Sequence, residues 1–302
     1  MYFDLQVNGY GGVDFNQDDL TAEQLHAACE KLREDQVGAV LATVITESID
    51  SMAHRLRRIV ELREQDPLAR EMIAGLHVEG PFINEQDGYR GAHPLDAVMP
   101  ADVDVMDRLL DAGAGLTRIV TLAPERDDGL RVTRFLAEKG IVVSAGHCDP
   151  SMDQLEAAVD AGLSMFTHLG NGAPMMMHRH ENIIQRALSL SDRMWLGLIA
   201  DGTHLPFFMF GNILKLAGTD RCFVVSDAIA PAGLGPGRYT VSRWDLVIGD
   251  DLVARAPDGS HFVGSAISMP RSAENLRSRV ALSEDEIIQL TRTNPRLAIG
   301  ES

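Results

Sequence analysis

Four short apolar runs of this sequence each end in a side chain that could take part in catalysis. The runs read GLHVEG, VVSAGH, SMFTHL and VVSDA, and they end at Glu79, His147, His168 and Asp227. Two imidazoles and one carboxylate suit a divalent transition metal, most simply zinc, with iron(II) as the alternative. A second carboxylate beside an open coordination position suits a general base. Any one of these residues could be a solvated loop residue, but four at equivalent positions predict a common site.

The elements that must position these residues alternate along the chain. Eight β-branched runs are predicted as strands: Tyr2–Asn8, Ala39–Thr46, Ile73–Glu79, Arg118–Ala123, Ile141–His147, Ser164–His168, Trp195–Asp201 and Cys222–Asp227. Helical periodicity fills the segments between them. This alternation predicts an α/β protein with a (β/α)8 TIM barrel, in preference to a doubly wound open sheet. In a barrel the carboxyl ends of the strands meet at one face, where the four polar residues fall.

The length of 302 residues agrees with a single barrel over residues 1–302. One segment departs from the βα pattern. Residues 235–265 contain Gly-rich turns and short alternating strands, which predict a β-hairpin inserted before the last helix. The strands expected there are Tyr239–Ser242, Leu246–Ile248 and Leu252–Ala254.

Charge and composition exclude several classes of partner. The formal charge of −17 argues against nucleic acid and anionic membranes as partners. The longest apolar run, Val37 to Ile45, is too short to cross a bilayer, and Met1 leads directly into strand-like sequence. Three cysteines without a CxxC pair argue against a disulfide framework. We therefore expect a cytoplasmic protein that acts on a small molecule.

Five motifs in this chain resemble those of one enzyme family. DLQVNGYGGVDFN, GLHVEGPFIN, VSAGHCDPSMDQLEAAVDAG, THLGNGAP and SDAIAPAG follow one another across nearly the whole chain. They are similar, in the same order, to the motifs of the N-acetylglucosamine-6-phosphate deacetylases of the amidohydrolase superfamily. The resemblance implies a metal-dependent hydrolase that removes the acetyl group from N-acetylglucosamine 6-phosphate, giving glucosamine 6-phosphate and acetate. It also implies a homodimer with shared sites.

The resemblance assigns a role to individual residues of this sequence. It implies that the metal ligands are Glu79, His147 and His168, that Asp227 is the catalytic acid/base, and that His93 polarises the acetyl carbonyl. The positions that match those holding the sugar phosphate, some of them across a dimer interface, are Asn171, Gly172, Arg179 and His204.

The first strand predicts how many metal ions are bound. Gln6 and Asn8 are two residues apart, so their side chains share the inward face. Many amidohydrolases have two histidines there, which hold a second metal. Amides are poor ligands for such a cation, so we expect a single ion, with Gln6 and Asn8 on the substrate side. His77 shares a face with Glu79 and could be a fourth ligand, but a role in supporting the metal ligands or in orienting the substrate is favoured.

The similarity to the family is weaker in two places. After His168, the segment His178-Arg179-His180-Glu181-Asn182 departs from the family pattern, although Arg179 stays in register. The two histidines could form a cationic clamp for phosphate with Arg179, a role favoured over a second metal site. Relatives also carry a small β-sandwich built from segments outside the barrel. This chain starts at the first strand, so we expect a minimal barrel without that domain.

Other functions on this fold fit the sequence less well. Neither a Schiff-base aldolase nor a binuclear hydrolase with a carbamylated lysine is favoured, because none of the three lysines lies on a predicted strand. A deaminase would be expected to have a His-x-His pair where Gln6 and Asn8 stand. The alternatives that remain are a deacetylase of another N-acyl amino sugar, such as N-acetylgalactosamine 6-phosphate or an unphosphorylated sugar, and a non-catalytic sugar-phosphate sensor.

Overall fold

The computed structural model describes residues 1–241, 244–255 and 262–301. The strands of these residues are β1 Tyr2–Val7, β2 Gly9–Tyr10, β3 Val13–Asp14, β4 Val37–Ile45, β5 Ile73–Glu79, β6 Thr117–Leu122, β7 Val142–Ala145, β8 Leu163–Phe166, β9 Trp195–Ile199, β10 Cys222–Val225, β11 Gly237–Val241, β12 Trp244–Ile248, β13 Val253–Arg255 and β14 Phe262–Ser265.

The helices follow the strands in alternation. They are α1 Ala22–Glu34, α2 Ile49–Gln65, α3 Pro67–Met72, α4 Val103–Ala112, α5 Arg131–Glu138, α6 Met152–Asp160, α7 Ile183–Ser189, α8 Phe207–Ala217, α9 Met269–Asn275, α10 Glu284–Ile288 and α11 Asn294–Ala298. Capping boxes fix the starts of α1, α6 and α10, where a Thr or Ser side chain accepts from the third helical backbone N–H. No helix in the described residues is both long and apolar enough to span a bilayer.

Eight parallel strands form the barrel, in the order β1-β4-β5-β6-β7-β8-β9-β10. The predicted TIM barrel is confirmed, and each predicted strand agrees with an observed one to within about two residues at either end. Apolar side chains fill the barrel below its catalytic face. They are Phe3, Leu5, Ala39, Leu41, Ile119, Met165, Ile199, Phe223 and Val225, and Ala298 and Ile299 pack against the same cluster. The interior is therefore a packed core that supports the strand ends.

The barrel closes where β1 meets β10, and few backbone bonds join these two strands. Val7 forms an isolated bridge with Ala228, whose carbonyl accepts from the backbone N–H of Asn8 at 2.7 Å. Side chains supply the rest of the seam. The Ser226 hydroxyl donates to the buried carboxyl of Asp4 at 2.5 Å. The junction of the first and last strands thus depends on side-chain hydrogen bonds.

An antiparallel sheet of four strands, β11-β12-β13-β14, follows the barrel strands. Leu246, Ile248, Ala254 and Ala266 form its small core. The sequence predicted three strands within residues 235–265, and of that segment residues 242–243 and 256–261 lie outside the described residues. Two helical segments follow the sheet, 269–280 and 284–298, rather than the single last helix that was expected. The first of them contains Pro270, which the first turn of a helix tolerates.

Candidate functional site

Glu79, His147 and His168 converge at the carboxyl ends of β5, β7 and β8. Oε1 of Glu79 lies 3.1 Å from Nε2 of His147 and 3.0 Å from Nε2 of His168. The three side chains are buried, and one potential ligand atom from each lies within 4.8 Å of the others. Three residues far apart in the sequence therefore present two nitrogens and one oxygen to a single point.

Strained backbone conformations hold several of these residues. His147, His168 and Asp227 have φ values of 51°, 33° and 51°, in the left-handed region that non-glycine residues rarely adopt. Such strain persists only where the surrounding structure enforces it, and it is concentrated at functional sites. Each of these residues comes two positions after the end of a barrel strand, so the positive φ turns the side chain just beyond the strand.

The hydrogen bonds of His147 show that the cluster fits a cation. Nδ1 of His147 lies 2.8 Å from the carbonyl oxygen of Tyr89, which can only accept, so Nδ1 carries the proton of the neutral ring. Nε2 then presents a lone pair towards the Glu79 carboxylate. Lone pairs on His147 and Glu79 face each other at hydrogen-bond distance, which is the arrangement of two ligands around a metal ion.

A bulge in β1 brings Gln6 to this cluster. Asp4 pairs with Val40 and Val7 with Ala42, so β1 has one residue more than β4 over this stretch. The extra residue allows Gln6 to point inward although its neighbour Leu5 also faces the barrel core. Nε2 of Gln6 donates to Oε2 of Glu79 at 3.2 Å. The amide thus occupies one carboxylate oxygen and leaves the other to the histidines.

Asp227 lies beside the cluster at the end of β10. Nδ2 of Asn8 donates to its Oδ1 at 2.8 Å. Burial raises the pKa of Asp227 to about 6, with the Glu79 charge adding to the effect and His168 and His204 opposing it. A carboxyl with this pKa is ionised near neutral pH and still basic enough to accept a proton.

His93 lies against the ring of His147. Their Nε2 atoms are 3.3 Å apart, and the rings meet edge to face. Burial lowers the pKa of His93 to about 3, and the neighbouring His147 adds to this, so His93 is neutral near pH 7. Its Nδ1 has no hydrogen-bond partner in the part of the chain that the structure describes. His93 therefore has an uncommitted ring nitrogen beside the cluster.

A cavity of about 340 Å³ opens above the cluster. Its wall includes all three members of the cluster and most of the other residues predicted for the site: Asn8, His93, Asn171, Gly172, His204 and Asp227. The ring of His204 is held by Asp201, whose Oδ2 lies 2.5 Å from Nδ1 of His204. These residues follow different strands, yet the barrel brings them to one space.

Three residues predicted to bind substrate do not line this cavity: Gln6, His77 and Arg179. His77 lies lower in the barrel, with Nδ1 3.1 Å from the carbonyl of Leu5 and Nε2 2.7 Å from the Thr121 hydroxyl. Both ring nitrogens are therefore occupied, and burial lowers the pKa of His77 to about 4. Arg179 is exposed on the loop after β8. The structure thus places both His77 and Arg179 outside the cavity of their own chain, and the predicted role of His77 stays a prediction.

The cavity also has a wall that the sequence did not predict. Asp14, Asn16, Glu47 and Arg55 line it on the side of β1 and β4. Glu47 comes two residues after the end of β4, and that position could have marked it as a strand-end residue. Arg55 lies in the second turn of α2 and gave no such signal, because its approach to the cavity depends on how α2 packs.

Comparison with known proteins places these features in a family. No family model matches the chain. The N-acetylgalactosamine-6-phosphate deacetylase of Escherichia coli O157:H7 is 29% identical, over 99% of this chain and 77% of its own length. The N-acetylglucosamine-6-phosphate deacetylase of Danio rerio is 30% identical, over 100% of this chain and 75% of its own length.

A solved structure agrees with these relatives. It is the N-acetyl-D-glucosamine-6-phosphate deacetylase of Mycobacterium smegmatis, an aspartate-to-alanine mutant in complex with N-acetyl-D-glucosamine-6-phosphate. The TM-score is 0.88 at 26% identity, covering 99% of this chain and 77% of that one. The resemblance read from the motifs is confirmed, and the chain belongs to the N-acetylglucosamine-6-phosphate deacetylase family of amidohydrolases.

Proposed function

We propose that this chain is a deacetylase that hydrolyses N-acetylglucosamine 6-phosphate to acetate and glucosamine 6-phosphate. One observation carries the proposal: Glu79, His147 and His168 converge at a cavity that also holds Asp227, a carboxyl with a raised pKa. The names of the relatives supply the substrate class. A binding protein would have no use for a proton-accepting group beside a ligand cluster.

We propose that one divalent ion, zinc in the first instance, is held by Glu79, His147 and His168. The donor set of two imidazole nitrogens and one carboxylate oxygen suits zinc, with iron(II) as the alternative. When bound, such an ion lowers the pKa of a water molecule towards about 7 and polarises a carbonyl group. Gln6 and Asn8 support a single ion, because their amides bond to Glu79 and Asp227 and are weak ligands.

Asp227 is the proton carrier of the proposed reaction. Its carboxylate accepts a proton from the water that attacks the acetamide carbonyl carbon. The same carboxyl then delivers that proton to the nitrogen of the departing amino sugar, so that the C–N bond breaks with a neutral amine as leaving group. The hydrogen bond from Asn8 to Oδ1 leaves the other oxygen free for this transfer.

His93 stabilises the charge that develops on the carbonyl oxygen. A neutral imidazole has one N–H, and the low pKa of His93 keeps the ring in that form. A donor fixed in a buried site stabilises the developing oxyanion more than the ground-state carbonyl, because the site needs no reorganisation during the reaction. His93 thus has the position and the protonation state for this role.

The sugar phosphate would lie towards Asn171, Gly172 and His204, which line the cavity beyond the cluster. Arg179 is exposed and does not line that cavity, and we propose a homodimer in which Arg179 reaches the neighbouring site. The three cysteines are buried free thiols, which suits a reducing compartment such as the cytoplasm.

Acetate release from N-acetylglucosamine 6-phosphate tests the proposal directly. We expect turnover that stops with a chelator, returns with zinc or iron(II), and falls when the phosphate is missing. N-acetylgalactosamine 6-phosphate belongs in the same assay, because the E. coli relative is named for that substrate. No acetate from any N-acetylated hexosamine, with metal bound at one ion per chain, would overturn the proposal and favour a sugar-phosphate sensor.

A further inference from the structure

Two of the three proposed metal ligands lie at strand ends that are separated by one other strand. Glu79 ends β5, and His147 comes two residues after β7. β6 stands between these two strands in the barrel, and Glu125 lies in the loop that follows β6. The proposed reaction gives Glu125 no role, yet its carboxyl group contacts the loops on both sides.

One carboxylate oxygen of Glu125 joins these two neighbouring loops. Its Oε1 accepts from Nδ2 of Asn84 at 2.8 Å and from the backbone N–H of Asp149 at 2.6 Å. Asn84 lies in the loop that follows Glu79, and Asp149 comes two residues after His147. A single acceptor therefore fixes the separation of the loops that follow two of the metal ligands.

The bridge also reaches the backbone of His147. The backbone N–H of Asn84 donates to the carbonyl oxygen of His147 at 2.9 Å. His147 has a φ of 51°, and a histidine keeps such a conformation only where its surroundings enforce it. Asn84 is buried, and its side chain bonds to Glu125 through Nδ2. Glu125 therefore helps to hold Asn84 in the place from which Asn84 supports the strained ligand.

Burial works against the charge of Glu125. It raises the pKa of the carboxyl, although the hydrogen bonds from Asp149 and Asn84 lower the pKa and offset part of this effect. The ionised group is thus less stable in the folded protein than in water. A contribution of the charge to folding stability does not explain a glutamate at this position, whereas its two hydrogen bonds link it to the metal site.

We propose that Glu125 is a positioning residue that orients His147 for metal binding by bridging the loops after β5 and β7. This inference rests on the proposed function, because it concerns the metal site of that reaction. Replacing a residue that orients a metal ligand typically changes metal affinity by about 10- to 100-fold. Because Glu125 acts through two hydrogen bonds to one oxygen, the length of its side chain should matter more than its charge.

Glu125→Asp and Glu125→Gln separate these two properties. Glu125→Asp keeps the charge but shortens the side chain by one methylene group, so the oxygen cannot reach both donors. Glu125→Gln removes the charge but keeps the length and an acceptor oxygen. Glu85→Asp is the matched control. Glu85 forms an ion pair with Arg126 at 2.7 Å, which joins the loops after β5 and β6, and its side chain is 47% exposed.

The dissociation constant for zinc is measured on the metal-free protein by competition with a coloured chelator, so this measurement needs no substrate. The visible absorption of the cobalt(II)-loaded protein reports the geometry of the ligands. The thermal midpoint of the metal-free protein reports stability separately. Together these measurements distinguish an effect on the metal site from a general loss of stability.

We expect Glu125→Asp to raise the zinc dissociation constant by about 10- to 100-fold and to change the cobalt(II) spectrum. Glu125→Gln and Glu85→Asp should both stay within about threefold of the wild type. Equal losses for Glu125→Asp and Glu125→Gln would assign the effect to charge and overturn the inference. A lower thermal midpoint of Glu125→Asp with unchanged zinc affinity would show a purely structural role and overturn it as well. A wild type that binds no divalent ion would refute the metal site itself, and this inference with it.

Discussion

Replacing Asp227 by asparagine removes the proposed proton carrier with little change in shape. The hydrogen bond from Asn8 can be kept, because the side-chain amide of the variant still offers a carbonyl oxygen where Oδ1 of Asp227 accepts at 2.8 Å. The residue is 7% exposed, so the substitution also removes a buried charge and should not destabilise the fold. Any loss of activity should then reflect chemistry.

The size of the loss follows from the role of the carboxyl in both proton transfers. A single positioned base contributes about 10²- to 10⁴-fold. Because Asp227 both accepts the proton and delivers it to the amine, we expect the upper half of that range, about 10³- to 10⁴-fold in kcat. This corresponds to about 4 to 5.5 kcal/mol of barrier height.

The pH profile adds an independent measurement. The wild-type pKa of Asp227 is about 6, raised by burial, and the carboxylate is the active form. Activity should therefore be full above that pKa and should fall tenfold per pH unit below it. A bound cation favours the carboxylate and moves this limb to lower pH. The Asp227→Asn variant should have no such limb.

The assay is acetate release, with metal content by elemental analysis and substrate affinity by calorimetry. Asp14→Asn is the control, since Asp14 is another buried aspartate of the same cavity and the change in charge is the same. We expect less than about threefold change in kcat for that variant. Near wild-type kcat for Asp227→Asn with metal retained, or an unchanged acid limb, would refute the assignment.

Three further predictions concern other residues. Glu79→Gln should lower bound metal from one ion per chain to near zero, measured by elemental analysis, because a neutral amide is a weak ligand; retention of a full equivalent would contradict the metal site. His93→Ala should keep the metal but lower kcat by about 10²- to 10³-fold in the acetate assay, since an oxyanion donor is lost; an unchanged kcat would exclude that role. Burial raises the pKa of Asp4 to about 7, so the folded state binds a proton that the unfolded state releases above about pH 4, and stability should fall as pH rises between these values. The thermal midpoint of Asp4→Asn should depend less on pH over this range than that of the wild type. If the two midpoints change equally with pH, Asp4 is not the group responsible.

The sequence was sufficient to predict those features that repeat along the chain. Each barrel strand is an apolar run of the expected length. The regular alternation of such runs with helical segments was therefore enough to place the strands. Glu79, His147, His168 and Asp227 could be grouped because parallel strands in a barrel end at the same face. The left-handed backbone at the last three could not be predicted from residue type, because histidine and aspartate adopt it more often than most residues but still only in a small minority of cases.

Other features depend on how distant elements pack. Gln6 was expected on the inward face, but strict alternation from the inward Leu5 would turn it outward, and the register shift between β1 and β4 that brings it inward is not visible in the sequence. His77 has the spacing of a site residue, yet its depth in the barrel and its bond to Thr121 take it away from the cavity. Arg55 gives the opposite case, since a helix residue with no motif reaches the cavity wall.

The activity of the protein should depend on the contact between β1 and β10 that closes the barrel. The same seam that joins the first and last strands also carries the hydrogen bond from Asn8 to Asp227. If β1 and β10 separate slightly, Asp227 loses its alignment while most of the helices and strands remain intact. Enzymatic rate should therefore act as an early reporter of opening, declining at denaturant concentrations that leave the circular dichroism spectrum unchanged.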